Sequence, residues 1–175
     1  MEPNGQLEQR GNDWQLTFTR TLAHPPEKVW RALTEPEQLT AWFPTEIIGD
    51  RADGATLRFE FRNGEGPGFD GKMITVDPPR VLEFVWGEDT LRFELQPSAT
   101  GTVLTLTDSL GTLGKAARDA AGWDICLDRL AFDLSGDTAA RANERPWKEV
   151  NAVYVDRFGP EASTLGPPEG HAEAS

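Results

Sequence analysis

Cysteine, histidine and tyrosine are scarce in this chain of 175 residues, with one, two and one copies respectively. Cys126 has no partner for an internal disulfide, and a thiolate metal cluster within one chain is excluded. It reads as a small buried hydrophobe. His24 stands beside Pro25-Pro26 and His171 lies in a Gly-, Pro- and Glu-rich end, so neither imidazole acid–base catalysis nor a His-based metal site is expected. Basic residues are also few, 17 against 29 acidic ones, for a net charge of −12. Phosphate backbones and anionic lipid surfaces are repelled by that balance, which argues against nucleic acid as a partner. No apolar run reaches the length of a membrane span, and Met1 to Asp13 lacks a basic-then-apolar leader, so a soluble cytoplasmic protein is expected. There is no Gly-rich phosphate loop, Gly-x-Ser-x-Gly elbow or His-Glu-x-x-His pair. Neither a cofactor nor a metal is expected.

What the chain does have is one long helical stripe. Between Gly114 and Ser135 the residues Ala116, Ala120, Trp123, Leu127, Leu130 and Leu134 recur at steps of three and four, which is one apolar face of a helix. Lys115, Arg118, Asp119, Asp124, Asp128 and Asp133 mostly fall off that face, and Gly136 supplies a stop. Ile125 and Phe132 project away from the stripe and need a second cover.

The segments before this helix have a period of two. Trp14 to Leu22 alternates as a first strand; His24 to Leu33 and Pro36 to Trp42 make two short helices, the second ended before Pro44. Short strands follow at Glu46 to Ile48, Thr56 to Arg62, Lys72 to Asp77, Val81 to Trp86, Leu91 to Gln96 and Thr102 to Asp108. Their short connections favour antiparallel neighbours. The fold class is therefore α+β, a curved antiparallel sheet of about seven strands gripping the late helix. Residues 1–13 are expected to be a flexible N-terminus and 14–136 the domain. Residues 137–160 form an extension whose helix, with Trp147, Val150, Val153, Tyr154 and Phe158, covers Ile125 and Phe132; 161–175 are expected to be disordered.

Charged residues on the strands, Arg58, Glu60, Arg62, Glu83, Arg92 and Glu94, alternate with large apolar ones and suit a cross-strand ladder on the solvated face. Asp108 differs, because it shares the parity of Leu104 and Leu106: it is either an interior carboxylate or an exposed strand end. Trp42, Phe43, Phe59, Phe61, Phe84, Trp86, Phe93 and Trp123 converge on the same interior. They either fill it as a core or line a ligand cavity, and composition is compatible with both.

Residue by residue, Thr19-Arg20, His24-Pro25-Pro26-Glu27-Lys28-Val29-Trp30-Arg31-Ala32-Leu33-Thr34, Trp42-Phe43, Asp77-Pro78-Pro79-Arg80-Val81-Leu82, Phe84-Val85-Trp86, Thr105-Leu106-Thr107 and Gly122-Trp123 resemble the domain family named after the activator homologue of the heat-shock-protein-90 ATPase. That family belongs to the START-like, or SRPBCC, superfamily with its helix-grip fold. The resemblance spans about Trp14 to Ser135. It implies a small-molecule binder or a module acting on a chaperone ATPase. Members often carry a histidine where this chain has Asp108. The leading expectation is a non-catalytic module binding a small hydrophobic molecule, lipid-like, aromatic or polyketide-like. Trp42, Phe43, Phe59, Phe61, Phe84, Trp86, Phe93, Leu106, Trp123, Leu127 and Leu130 would contact it, with Asp108 as polar anchor. A chaperone partner is the second expectation, and a cyclase or hydrolase using Asp108 for proton transfer the third. Either a monomer or a homodimer fits.

Overall fold

Alternating and helical periods along the chain become eight strands and five α-helices in the computed structural model, which describes residues 2–166. The strands are β1 (Gln6–Arg10), β2 (Asp13–Leu22), β3 (Thr45–Ile48), β4 (Thr56–Phe61), β5 (Phe69–Asp77), β6 (Val81–Trp86), β7 (Asp89–Ser98) and β8 (Gly101–Leu110). The helices are α1 (Pro26–Thr34), α2 (Pro36–Leu39), α3 (Ala116–Ser135), α4 (Thr138–Ala142) and α5 (Trp147–Phe158). All strands join one antiparallel sheet in the order β1-β2-β8-β7-β6-β5-β4-β3. The expected helix-grip architecture is present.

The parity of the strands decides which face is dry. Leu16 and Phe18 of β2, Leu57 and Phe59 of β4, Leu82 and Phe84 of β6, Leu91 and Phe93 of β7, and Leu104 and Leu106 of β8 all point inward and are buried. On the opposite face Arg58 pairs with Glu60 and Asp70, and Arg92 with Glu83 and Glu94, as in the expected ladder; Arg62 instead lies past the end of β4 and donates to the Phe43 and Thr45 carbonyls. Pro36 sets the break between α1 and α2: Glu35 before it is extended at φ −81° and ψ 128°. Trp42 then folds back so that its Nε1 donates to the Ala32 carbonyl at 2.9 Å.

The flexible N-terminus expected over residues 1–13 is corrected. Gln6 to Arg10 pairs residue for residue with β2, from Gln6 opposite Thr17 to Arg10 opposite Asp13, with Gly11 at φ 64° turning the chain. The segment has one apolar residue, Leu7, so an alternation signal was absent; backbone pairing to an existing edge orders it. Within the tail, 161–166 are also ordered: Ala162 is buried and Leu165 N–H donates to the Gly114 carbonyl at 3.0 Å. The remainder of that expectation, 167–175, lies outside the described residues.

α3 is buried over more of its surface than a single stripe. Ala116, Ala120, Trp123, Leu127, Leu130 and Leu134 face inward as expected, and Gly136 ends the helix at φ 70°. On another side Ala117, Ala121, Asp124 and Asp128 are buried too. Asp124 and Asp128 thus lie off the apolar stripe, as the sequence indicates, but are buried all the same. α4 and α5 pack on α3 within the same chain, Ile125 is buried and Phe132 is half-buried.

Candidate functional site

The inward aromatic side chains meet each other. Trp42 lies edge-on to Phe43 at 5.3 Å and to Phe93 at 5.9 Å between ring centroids. Phe43 reaches Trp86 at 5.2 Å and Trp123 at 5.9 Å, and Trp86 lies 5.9 Å from Trp123. These are the offset and edge-to-face spacings that aromatic quadrupoles favour. Trp42, Phe43, Phe59, Phe84, Phe93, Leu106, Asp108, Trp123, Leu127 and Leu130 are all buried. Phe61 and Trp86 are half-buried at the rim.

One rim residue escaped the sequence reading. Phe69 is half-buried with its ring 5.1 Å from Phe59, 4.9 Å from Trp86 and 6.1 Å from Phe61. It stands in the Gly64 to Gly71 stretch, which reads as a turn or lid, yet it opens β5. Residues 62–68 over this rim contain a short 3-10 turn with Asn63 at φ 62° and Gly64 at φ 66°. A Cβ on Gly66 would meet only the Phe61 ring, at 3.6 Å, whereas one on Gly68 would run into the Phe59 carbonyl at 2.6 Å, so the loop is open at its tip and held tightly at its β5 end.

Behind Trp86 and Trp123 the interior turns acidic. Asp108 is an interior carboxylate with no exposure, not a strand end. Its Oδ2 accepts from Trp123 Nε1 at 3.0 Å. Its Oδ1 has no donor, and neither has Oδ2 of the equally buried Asp89. Asp89, Asp108 and Asp119 bring one oxygen each within 4.8 Å of one another. Asp89 is opposite Trp86 in the β6–β7 hairpin and Asp119 is one helical turn before Trp123, so hairpin and helix together build the cluster. Lys115 Nζ lies 2.6 Å from Asp89 Oδ1 and 2.9 Å from Glu88, while Arg118 Nε lies 2.9 Å from Asp119.

Burial raises the Asp108 carboxyl well above the usual carboxylate range, and the charge and hydrogen bond of Asp89 and the charge of Asp119 push it further; only the Trp123 bond opposes them. Asp119 is likewise raised by burial, with Arg118 opposing. Burial alone would lower Lys115, but Asp89 and Glu88 outweigh it and hold the ammonium charged. Asp108 is thus a raised interior carboxyl with one oxygen bonded to Trp123 and the other orphaned beside Asp89 and Asp119. Asp89, Lys115 and Asp119 as site members were not foreseen. Their signal was spatial, since hairpin tip and helix start are 26 positions or more apart in sequence.

A second polar group sits on the far side of α3. Arg20, inward by the parity of Leu16 and Phe18, forms an ion pair with Asp124 and lies 3.7 Å from Asp128. Tyr154 of α5 donates to Asp124 Oδ2 at 2.6 Å and accepts from Gly5 N–H at 2.7 Å, and Arg145 binds Asp128 at 2.7 Å. Burial and the Asp124 charge raise the Tyr154 hydroxyl, keeping it a donor. Burial pushes the Cys126 thiol up to about 12, so it stays protonated and inert. Two surface concavities, about 450 Å³ between Asn4 to Leu7 and Arg157-Phe158 and about 290 Å³ on the outer face of β6, β7 and β8, involve none of the expected ligand contacts.

An antiparallel sheet wrapped on one long helix, with two short helices inserted after the second strand, defines the helix-grip, START-like class. Within it, the family model described as activator of Hsp90 ATPase homolog 1-like protein matches residues 23–132, and the chain belongs to that family. No curated protein matches the chain. Among solved structures, a conserved protein of unknown function from Enterococcus faecalis is 22% identical, with 88% of this chain and 90% of that one covered at a TM-score of 0.76. The family's solution structure from Aeromonas hydrophila is 22% identical over 70% of this chain and 92% of its own, TM-score 0.59. DynU16, a protein of the dynemicin biosynthetic locus, is 29% identical over 69% of this chain and 47% of its own, TM-score 0.61.

Proposed function

We propose that the chain is a non-catalytic module that binds a small, largely apolar molecule between the sheet and α3, entering at the rim of Trp86, Phe61 and Phe69. The observation that carries this reading is the aromatic cluster that ends in half-buried rings beside loop 62–68 on one side and in the incompletely bonded Asp108 on the other. Aromatic walls with a few convergent polar groups are the usual makeup of a small-molecule site. The rings touch in the free protein, so binding requires Trp86 and loop 62–68 to move aside. DynU16, 29% identical over 69% of this chain, comes from the dynemicin biosynthetic locus, which supports a small-molecule ligand.

The test is titration with N-phenyl-1-naphthylamine, a neutral aromatic probe whose emission rises in apolar surroundings. The wild-type chain should enhance it, and Trp86→Ala, which removes the rim ring, should weaken binding about fivefold while the protein stays folded. Absence of enhancement by the wild type would refute the reading, and undiminished binding by Trp86→Ala would move the entrance elsewhere.

The family description favours a second reading, a module acting on a chaperone ATPase through the acidic surface. It requires a complex with an Hsp90-type chaperone that weakens as salt rises. A pull-down at low salt that retains no chaperone would dispose of it.

A further inference from the structure

The aromatic corner and the acid cluster are one continuous site. Trp123 belongs to both: its ring faces Phe43 and Trp86, and its Nε1 is the single donor to Asp108. Four carboxyl groups, Glu88, Asp89, Asp108 and Asp119, meet two cations, Lys115 and Arg118. Lys115 serves Glu88 and Asp89 and stands 3.9 Å from Asp119, and Arg118 serves Asp119 from the solvent side. Among the described residues no cation lies within salt-bridge distance of Asp108. Its fully buried Oδ1 is left without a donor next to the aromatic rings. Negative charge behind the faces and edges of two indoles and a phenyl ring is the surrounding that favours a cation: the rings attract it through their quadrupoles and the carboxylates through charge. A metal ion fits less well, because the Lys115 ammonium already takes the position between Asp89 and Asp119 and indoles offer no ligand atom.

We propose that the ligand is an amphiphilic amine, an apolar or aromatic body carrying a protonated nitrogen that hydrogen-bonds Asp108 and Asp119 beside Trp86 and Trp123. This rests on the binding reading above and adds the charge of the guest. In the free protein the raised Asp108 carboxyl holds its own proton. An ammonium group arriving at the orphaned Oδ1 stabilises the ionised carboxylate, so that proton leaves as the ligand enters. Atoms and charge balance: one ammonium enters and one proton goes to the buffer. The groups around Asp108 are Asp89 on the hairpin, Asp119, Lys115, Arg118 and Trp123 around the start of α3, and exposed Glu88. Affinity for the amine should therefore fall as pH is lowered through the raised Asp108 value.

The experiment is calorimetric titration of the full chain with 2-naphthylmethylamine and 2-naphthylmethanol, which share a body and differ in charge. Each is run in two buffers of different ionisation enthalpy. The amine should bind about tenfold tighter than the alcohol, with proton release seen only for the amine. Asp119→Asn, half-buried and able to keep the fold, should bring the amine close to the alcohol and leave the alcohol unchanged. Equal binding of both probes by the wild type, or an amine preference that survives Asp119→Asn without proton release, would overturn the amine inference while leaving the binding reading standing. Failure of both probes would overturn the two together.

Discussion

Trp123 Nε1 donates to Asp108 Oδ2 at 3.0 Å, the one bond that counters everything else acting on that carboxyl. The indole thus ties α3 to β8 and also holds the acid in place. Replacing Trp123 with Phe keeps most of the ring but leaves both Asp108 oxygens short of a donor. The expected cost is about 1–3 kcal/mol of stability, the desolvation of an unsatisfied buried acceptor. Urea unfolding at neutral pH measures it, and a midpoint equal to wild type would show that the bond contributes nothing.

Asp108 also makes stability depend on pH. Its folded-state carboxyl titrates above its unfolded value, so the protonated form is the one the fold favours. Its contribution is complete below the unfolded value, near 3.8, and is lost as pH rises through the raised folded value. Asp108→Asn presents an uncharged group that donates to Asp89 at every pH. The difference in urea midpoint between variant and wild type should therefore move in the variant's favour as pH increases across that window. A difference that is flat with pH would refute the raised value.

Lys115 supplies the only ammonium within reach of buried Asp89 among the described residues. Lys115→Met keeps the stem and removes the charge, leaving the buried Asp89 carboxyl without its ion-pair partner. The loss should be about 3–5 kcal/mol, the range for breaking a buried pair from one side. It should shrink at low pH, where the cluster is protonated. Thermal melts at acid and neutral pH measure the difference.

Tyr154→Phe removes one hydroxyl that serves both ends of the chain. Gly5 N–H loses its acceptor and Asp124 loses a donor. About 1–3 kcal/mol is expected, and amide exchange should speed up across β1 and α5 more than across the central strands β7 and β8. Uniform acceleration would mean that the hydroxyl supports the whole fold and not the junction.

Periodicity made the sheet and α3 legible, because strands with one wet face alternate cleanly and Trp123, Leu127 and Leu130 fall on one stripe. β1 was not legible. Gln6 to Arg10 is ordered by backbone pairing with β2, and backbone pairing leaves no mark on side-chain pattern. The burial of Asp124 and Asp128 was not legible for a related reason: their partners Arg20, Arg145 and Tyr154 lie far along the chain. The parity of Arg20 with Leu16 and Phe18 was the available clue. Asp108 showed the same clue and kept two readings, and the structure places it inside. Whether the aromatic residues fill or line the interior depends on volume, which composition does not record; in the free protein the rings touch one another.

The bond between Gly5 and Tyr154 joins positions 149 apart. On a ribosome, the Gly5 amide just ahead of β1 therefore waits for α5 to emerge before it finds its acceptor. Until then Arg20 and Asp124 lack the cover of Tyr154, and a nascent chain halted before α5 would expose an ionic seam that the folded protein buries.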